Sequence, residues 1–320
     1  MNQHVSGRMQ EVLTVKESKR FRFIKNVKRD RQLLILFIPC MLFYAIFRYG
    51  PMYGTIIAFE KYHPFLGIFK SQWVGFRYFI QFFSGYDFFI LFKNTFLLGL
   101  YDLLWSTPFP IVFALLLNEL RFIKFKKAIQ TVSYLPAFLS VVIIAGMAID
   151  FLSLQNGLIN NIISALGFER HYFIADPKWF RTIYISTGIW SSFGIGAIYY
   201  IAAISGIDAT IYEAAIIDGS NRLKTMWHIT LPSIFPTIAT LFILRSGSMF
   251  KVGFEKVFLL YTPTTYGVAD VFSTYVYRRG IVEGNYSFGA AVGLFEAVVA
   301  LVMLVITNYI SKKFSEQSLW

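Results

Sequence analysis

The sequence predicts an all-α, polytopic membrane protein with six transmembrane helices. Composition is the first reason: the 320 residues are 56% hydrophobic and only 15% charged, whereas a soluble domain usually carries about a quarter charged residues. The second reason is that the apolar residues fall in long blocks, and about 20 such residues cross a bilayer as a helix. Six blocks qualify, at residues 32–53, 94–117, 128–151, 180–204, 232–252 and 288–310.

A basic tail precedes the first block and sets the orientation. Residues 1–31 contain three acidic residues and nine Lys or Arg residues, namely Arg8, Lys16, Lys19, Arg20, Arg22, Lys25, Lys28, Arg29 and Arg31. Because Lys and Arg beside a span stay on the cytoplasmic side, we expect both termini in the cytoplasm. A basic tail can also indicate nucleic acid, but its place beside a span favours topology, so we expect no nucleic-acid partner.

The first block, 32–53, is predicted to remain in the membrane as an uncleaved anchor. The tail before it is too long for a usual signal peptide, and we find no small-residue cleavage site. The block contains Cys40, the single cysteine of the chain, so the sequence excludes an intrachain disulfide and a cysteine metal site.

The connecting segments alternate between the two sides of the membrane. Segments 118–127 and 205–231 lie in the cytoplasm in this topology, and both carry basic residues. Of the outer segments, 54–93 contains WVGFRYFIQFF, which suits a helix at the membrane interface. Segment 152–179 has an Asn-Gly turn before a short amphipathic helix, and 253–287 is aromatic and partly irregular. Loops of this length usually carry function.

Charged residues inside the predicted spans need a reason, because burying a charge there costs about 2.5–3.5 kcal/mol or more. Asp102, Arg245 and Glu296 lie within spans, and Asp150 ends the third span, where it can sit at the outer interface. One interpretation is a polar path for a hydrophilic solute, with Trp190 as a stacking surface. The other is an interhelical ion pair, such as Arg245 with Glu296, and ordinary packing for Trp190. Both interpretations stay open.

The sequence lacks the motifs of an enzyme. It has no GxxxxGK[ST] phosphate-binding loop, no HExxH and no recognisable nucleophile motif, and its four histidines are scattered. We therefore expect no catalytic residues, no metal site and no cofactor on this chain, and a transport role rather than catalysis.

The most polar long stretch of the second half is EAAIIDGSNRLKTMWHITLP, from Glu213 to Pro232, in the second cytoplasmic segment. Its helical start is broken by Gly219, Ser220 and Asn221 can cap a second helix, and Pro232 ends the run. The pattern predicts a helix, a tight turn and a second helix. Such an element is suited to docking into a groove on a separate motor subunit, which a transporter without a nucleotide site needs.

The spacing within this stretch resembles the EAA loop of membrane subunits of binding-protein-dependent ABC importers. The matching residues are Glu213, Ala214, Ala215, Asp218, Gly219, Ile229, Leu231 and Pro232. Two residues depart from the pattern: Asp208 stands where sugar permeases often have proline, and Met226 stands where phenylalanine is frequent. Neither changes the expected docking role, because Asp208 can cap the helix and Met226 can fill an apolar groove.

The resemblance covers nearly the whole chain, and the outer segments resemble the carbohydrate branch, most of all importers of complex oligosaccharides or polysaccharides. It implies a multi-pass permease of a bacterial cytoplasmic membrane, surrounded by lipid, that imports an oligosaccharide. The implied partners are a second related permease, two ATPase subunits that bind ATP and Mg²⁺, and an extracytoplasmic solute-binding protein. The implied mechanism is alternating access, in which ATP closes the ATPase dimer and the EAA helices move with it.

The predicted organisation has four parts: a cytoplasmic tail at 1–31, a permease domain at 32–310, its coupling loop at 205–231, and a cytoplasmic tail at 311–320. Two other functions remain as alternatives. An ABC permease for an amino acid or peptide is disfavoured by the long outer segments. A gradient-driven secondary transporter is favoured by internal repeats and broken spans, and neither is clear in the sequence.

Overall fold

The computed structural model describes residues 30–314, so the basic tail and most of the C-terminal tail lie outside the described residues. Within this range the chain is almost wholly helical. Its helices are α1 Arg31–Tyr44, α2 Arg77–Phe83, α3 Asp87–Ser106, α4 Pro108–Glu119, α5 Ile123–Tyr134, α6 Val141–Phe151, α7 Leu158–Ala165, α8 Pro177–Ser205, α9 Ala209–Ile217, α10 Arg222–Thr225, α11 Leu231–Ser246, α12 Phe254–Leu260, α13 Tyr266–Ala269, α14 Phe272–Tyr275 and α15 Tyr286–Phe314.

The chain divides into a short unit that ends at Ile56 and a larger unit that begins at Ile57. The short unit consists of α1 and its continuation through a π-helical turn, Ala45–Tyr49, and the helical residues Gly50–Met52. A 3-10 turn, Tyr53–Phe59, follows at the boundary. The first apolar block is therefore helical, as predicted.

Five helical stretches of the described range are long and apolar enough to cross a membrane: Arg31–Phe59, Asp87–Glu119, Pro177–Ser205, Arg222–Ser246 and Tyr286–Tyr309. They coincide with five of the six predicted blocks. The largest difference lies in the fifth predicted block, 232–252, whose helical stretch begins earlier, at Arg222, and ends earlier, at Ser246.

The third predicted span, 128–151, is not one straight helix. A 3-10 turn, Leu135–Phe138, extends α5, and the joined segment meets α6 at an angle of 101°. The break has a local cause: Leu139 is extended, and the Ser140 hydroxyl accepts a 3.3 Å hydrogen bond from the Ile143 amide and begins a new helix. The described range therefore has five candidate spans, or six if the two halves are counted as one broken span.

The outer segments contain more regular structure than the sequence predicts. Strand β1, Glu60–Lys61, pairs antiparallel with β2, Gln72–Trp73. The interfacial helix of the aromatic run is confined to α2, since Trp73 lies in β2. The short helix expected after the Asn-Gly turn is α7. Segment 253–287 forms α12, α13, α14 and a π-helical segment, Val276–Val282.

Helix α8 is central to the packing of the larger unit, where it contacts α3, α4, α6 and α11. One buried apolar cluster joins α8 to α3 and α12 through Leu98 and Val257. A second joins α8 to α4 and α11 through Leu115 and Ile234. A third cluster, rich in phenylalanine, joins α2, α3, α14 and α15. This arrangement fixes the ends of α3, α8 and α11 relative to one another.

Two glycines allow α15 to approach the segment before it. A Cβ atom added at Gly289 would lie 2.7 Å from the Cα of Gly280 in the Val276–Val282 segment. Any larger residue at Gly289 would push the two backbones apart. The close contact holds the 253–287 segment against the last span.

Candidate functional site

The loop between α8 and α11 begins with a capped helix. Asp208 precedes α9, and its carboxylate accepts a 2.9 Å hydrogen bond from the Thr210 amide. This bond to the charged form lowers the pKa of Asp208 below its usual value. The residue that departs from the proline of sugar permeases therefore acts as the helix cap, as predicted.

A tight turn ends α9 at Gly219. The Asp218 amide donates to the Ala214 carbonyl at 3.0 Å, and the Ser220 amide reaches back to the Ala215 carbonyl at 2.9 Å. Gly219 lies between them with φ +71°, a left-handed conformation that favours glycine. The predicted glycine break is thus a hydrogen-bonded helix terminus.

The second helix of the loop is continuous with the next span. The side chain of Asn221 accepts a 2.8 Å hydrogen bond from the Lys224 amide and caps α10. The chain then passes through a π-helical turn, Met226–Thr230, directly into α11. Pro232 lies at the start of α11 and does not end the run. The wide turn before it is consistent with proline, which offers no amide donor to the ladder.

The loop exposes an apolar surface. We call Ile216, Ile217, Leu223 and Trp227 the loop patch; these side chains are between 60% and 86% exposed. Glu213, Ala214 and Asp218 are exposed on the same loop, whereas Ala215 is buried. Contiguous apolar residues on an exposed loop are typical of a contact surface.

Other residues of the loop anchor it to the helical bundle. Met226 is buried in the cluster that contains Tyr200 and Ile234. It therefore packs within this chain and does not project outward to fill a groove on a partner. Thr230 is also buried, and its hydroxyl lies 3.1 Å from the Tyr212 hydroxyl. Contacts from both helices of the loop therefore anchor it to the bundle.

A polar cavity of about 120 Å³ lies where α3, α8 and the end of α11 meet, and we call it the polar cavity. Asp102 and Arg245 both line it. The Ser106 hydroxyl donates to the Asp102 carboxylate at 2.9 Å, and Arg245 Nη1 donates to the Ser106 carbonyl at 3.1 Å. Ser106 thereby connects the acidic and the basic side chain.

A lysine outside the spans reaches the same place. The ammonium of Lys256, on α12, lies 4.2 Å from the centre of the Tyr184 ring and donates to the Tyr184 carbonyl. Burial lowers the pKa of Lys256 to about 8, and the nearby Asp102 carboxylate opposes that shift. Lys256 thus adds a basic group close to Asp102, besides Arg245 and Lys251 in the lining of the polar cavity.

The chain matches the family described as "Binding-protein-dependent transport system inner membrane component" over residues 91–316. The chain belongs to this family. The match includes the loop and the polar cavity, and it identifies the chain as a multi-pass membrane permease component.

Relatives of this permease cover almost its whole length. It is 45% identical to protein LplB of Bacillus subtilis (strain 168), an alignment that covers 94% of this chain and 95% of LplB. It is 42% identical to the polygalacturonan/rhamnogalacturonan transport system permease protein YteP of the same organism, over 97% of both chains. A chain of a bacterial ABC transporter that imports the acidic polysaccharide alginate has 43% identity and a TM-score of 0.84, covering 92% of this permease and 99% of that chain.

The structure separates the intramembrane residues that the sequence groups together. Asp102 and Arg245 share the polar cavity, which includes neither Trp190 nor Glu296. Trp190 lies in a separate cavity of about 300 Å³ beside Met147 of α6. Among ion pairs between described residues, none joins Arg245 to Glu296, so this structure does not contain the pair named as an example of the second interpretation.

Two side chains that interact with Asp102 beside the polar cavity were missed by sequence reasoning. Ser106 is a neutral residue, and a search for charges in spans does not find it. Lys256 falls in an outer segment that the sequence describes as partly irregular, so its approach to Asp102 depends on the packing of α12. The short helix FEKVFLL, in which Glu255 and Lys256 stand among apolar residues, was the available signal.

Proposed function

We propose that this permease is one of two related membrane subunits of an ATP-driven importer that takes up an oligosaccharide. The observation that carries the proposal is the helix–turn–helix loop with its exposed apolar surface, in a chain of the binding-protein-dependent family. Similarity to a permease for polygalacturonan and rhamnogalacturonan and to a chain of an alginate importer supports a saccharide cargo.

The proposed orientation places the loop and both termini in the cytoplasm of a bacterium. The basic tail and the basic residues of the 118–127 and 205–231 segments support this orientation. The segment from α12 to α14 then lies on the outer side, where an extracytoplasmic solute-binding protein delivers the saccharide. A solved alginate transporter in complex with its saccharide-bound periplasmic protein, at 42% identity, supports such a partner.

The loop is proposed to dock on one of two ATPase subunits, which bind ATP and Mg²⁺. In this docking the loop patch fills an apolar groove, and the exposed Glu213 carboxylate forms a charge-assisted hydrogen bond with a basic or amide group. Ala214 is small and exposed, so it permits close approach of the partner. Ile229, Leu231 and Pro232 join the loop to α11 without a break.

The substrate path is proposed to include the polar cavity. Its volume of about 120 Å³ is below the roughly 300–1,000 Å³ of usual ligand pockets, so a saccharide passes only after the helices move. Asp102 and Arg245 offer hydrogen-bond partners for sugar hydroxyls. Trp190 offers an aromatic face beside the path, and Glu296 is proposed to act further along it.

Reconstitution tests this function. The permease is purified with its partner permease and ATPase, placed in liposomes, and supplied with each candidate binding protein. A saccharide that raises the melting temperature of the binding protein is expected to enter the liposomes only with ATP. Uptake of amino acids or peptides alone would refute the saccharide class.

A gradient-driven secondary transporter is the second candidate, because the broken span of α5 and α6 is a feature of such proteins. Membership of the binding-protein-dependent family opposes it. Saccharide uptake that follows an ion gradient and needs no ATP would decide for this candidate.

A further inference from the structure

We propose that Arg181, with the aromatic residues that face it, forms a subsite for the carboxylate of an acidic sugar residue. This inference rests on the proposed import of saccharides and names their chemical class. The subsite is a pocket of about 360 Å³ between α3, α4 and α8, distinct from the polar cavity. Its lining residues are Tyr101, Trp105, Phe109, Arg181, Thr182, Ile185, Ser186 and Ile189.

The size and walls of this pocket suit a sugar ring. Its volume falls within the range of usual ligand pockets, unlike that of the polar cavity. Tyr101, Trp105 and Phe109 follow one another at intervals of four residues, so their rings form one wall. Thr182 and Ser186 of α8 also line the pocket beside Arg181. Aromatic faces bind the C–H surface of a pyranose ring, and hydroxyls bind its rim.

The guanidinium group of Arg181 is held in place by a buried amide. Arg181 Nη2 donates to Asn94 Oδ1 at 3.1 Å, and Asn94 is 0% exposed. The amide nitrogen of Asn94 donates to the carbonyls of Gly267 at 3.2 Å and Asp270 at 3.1 Å. These two bonds fix which way the Asn94 amide points, so its oxygen faces Arg181. The cation is pre-positioned on a rigid support.

The charge of Arg181 has no counter-ion among the described residues. The pocket lining includes no acidic side chain, and Arg181 takes part in no ion pair between described residues. Its Nε atom is enclosed without an acceptor. The guanidinium charge is thus neutralised by no described carboxylate, and an anionic ligand in the pocket would neutralise it.

A carboxylate is the anion that fits. The planar guanidinium presents several N–H donors in a geometry that matches a carboxylate, and a uronic acid combines that group with a pyranose ring. A lipid phosphate is a poorer fit, because the bond from Arg181 Nη2 to the buried Asn94 amide restrains the guanidinium beside the pocket. YteP, whose name gives two galacturonan cargoes, and the alginate importer are both relatives with acidic polysaccharide cargoes.

Binding of a matched pair of probes tests the inference. The assembled permease and ATPase complex, in nanodiscs without binding protein, is titrated with trigalacturonate and with its methyl ester, which has the same rings and no charge. The wild type is expected to bind the acid about tenfold more tightly than the ester, because one charge-assisted bond is lost in the ester. Equal affinity for the two probes, or no binding of either, overturns the inference.

Variants distinguish an effect of the Arg181 charge on binding from an effect on folding. Arg181→Gln is expected to weaken acid binding about tenfold and leave ester binding unchanged, and Arg181→Lys should retain most of the preference for acid. Trp105→Ala should weaken the binding of the acid and of the ester equally. Arg77→Gln removes an exposed arginine of α2 outside the pocket and should change neither. Equal loss of both probes in Arg181→Gln would show a purely structural role and refute the subsite.

Uptake by the complete importer distinguishes this inference from the proposed function. If neutral saccharides enter the liposomes and no acidic saccharide does, the subsite is refuted and the import of saccharides stands. If no saccharide of either kind enters with ATP and any binding protein, the proposed function itself fails.

Discussion

Replacing Gly219 tests whether the tight turn of the loop couples ATP hydrolysis to transport. Gly219 has φ +71°, and a Cβ atom added there meets nothing within 4 Å. Alanine at this position therefore costs only backbone energy, about 1–2 kcal/mol for the left-handed conformation. That is a five- to thirtyfold shift of the local equilibrium away from the docking conformation. Because Gly219 lies between two candidate spans and in neither of them, membrane insertion should be unaffected.

A graded series at this position sharpens the prediction. Asparagine tolerates the left-handed conformation better than alanine, so Gly219→Asn should retain most uptake. Proline fixes φ near −65° and removes the amide that donates to the Ile216 carbonyl at 3.0 Å. We therefore expect uptake to fall in the order glycine, asparagine, alanine, proline, with the proline variant nearly inactive.

The assay measures saccharide uptake and ATP hydrolysis together in liposomes that contain the complete importer. Gly167→Ala is a matched control, because Gly167 has φ +85° in the turn after α7 and an added Cβ also meets nothing within 4 Å. It imposes the same kind of strain in an outer segment. Uptake by Gly219→Pro at the wild-type rate, or an equal loss in Gly167→Ala, would refute the coupling role of the turn.

Three further variants test the loop, the polar cavity and the broken span. Glu213→Lys should abolish saccharide-dependent stimulation of ATP hydrolysis while the protein still inserts, since it reverses an exposed charge at the proposed contact; wild-type coupling in this variant contradicts the docking model. Arg245→Ala should reduce uptake at least tenfold with intact assembly, and a change in melting temperature alone would indicate a structural role. Ser140→Ala should cost about 1 kcal/mol of stability by removing the cap of α6, measured by thermal unfolding, and Ser140→Thr should recover most of it.

The spans were predictable because a helix that crosses a bilayer requires about 20 apolar residues, and the sequence shows such blocks directly. The break in the third span was not, because the residues on both sides of Ser140 are apolar and hydropathy does not register a turn among them. Its signals were local: Pro136 in the preceding turn and a serine that caps the following helix. The sequence predicted no function for the break. The domain boundaries proposed from the sequence stay predictions.

The caps and the turn of the loop were predictable, whereas the burial of Met226, the helix that continues through Pro232 and the surroundings of the intramembrane charges were not. The helix–turn–helix follows from short-range chemistry: an Asp cap, a left-handed glycine and an Asn cap. The partners of Asp102 and Arg245 come from helices far apart in the chain, so no sequence pattern relates them. Arg181 was overlooked although it lies in the predicted 180–204 block, because it is close to the block's end, where an arginine usually reaches the interface.

One helix connects the two regions of the proposed mechanism. Residues Arg222–Ser246 form a continuous helical stretch, about 37 Å long, with the loop at one end and Arg245 at the other. A tilt of about 10° about its middle would move the Arg245 end by about 3 Å, comparable to the 3.1 Å bond between Arg245 and the Ser106 carbonyl. A small displacement of the docked loop is therefore sufficient to break that bond and enlarge the polar cavity. Pro232 and Pro236 weaken the hydrogen-bond ladder near the loop, so bending rather than breaking of α11 is the expected response to a larger displacement. If α11 transmits the motion, a cross-link that fixes Arg245's end of α11 to α3 must stop uptake while ATP binding at the ATPase subunits continues.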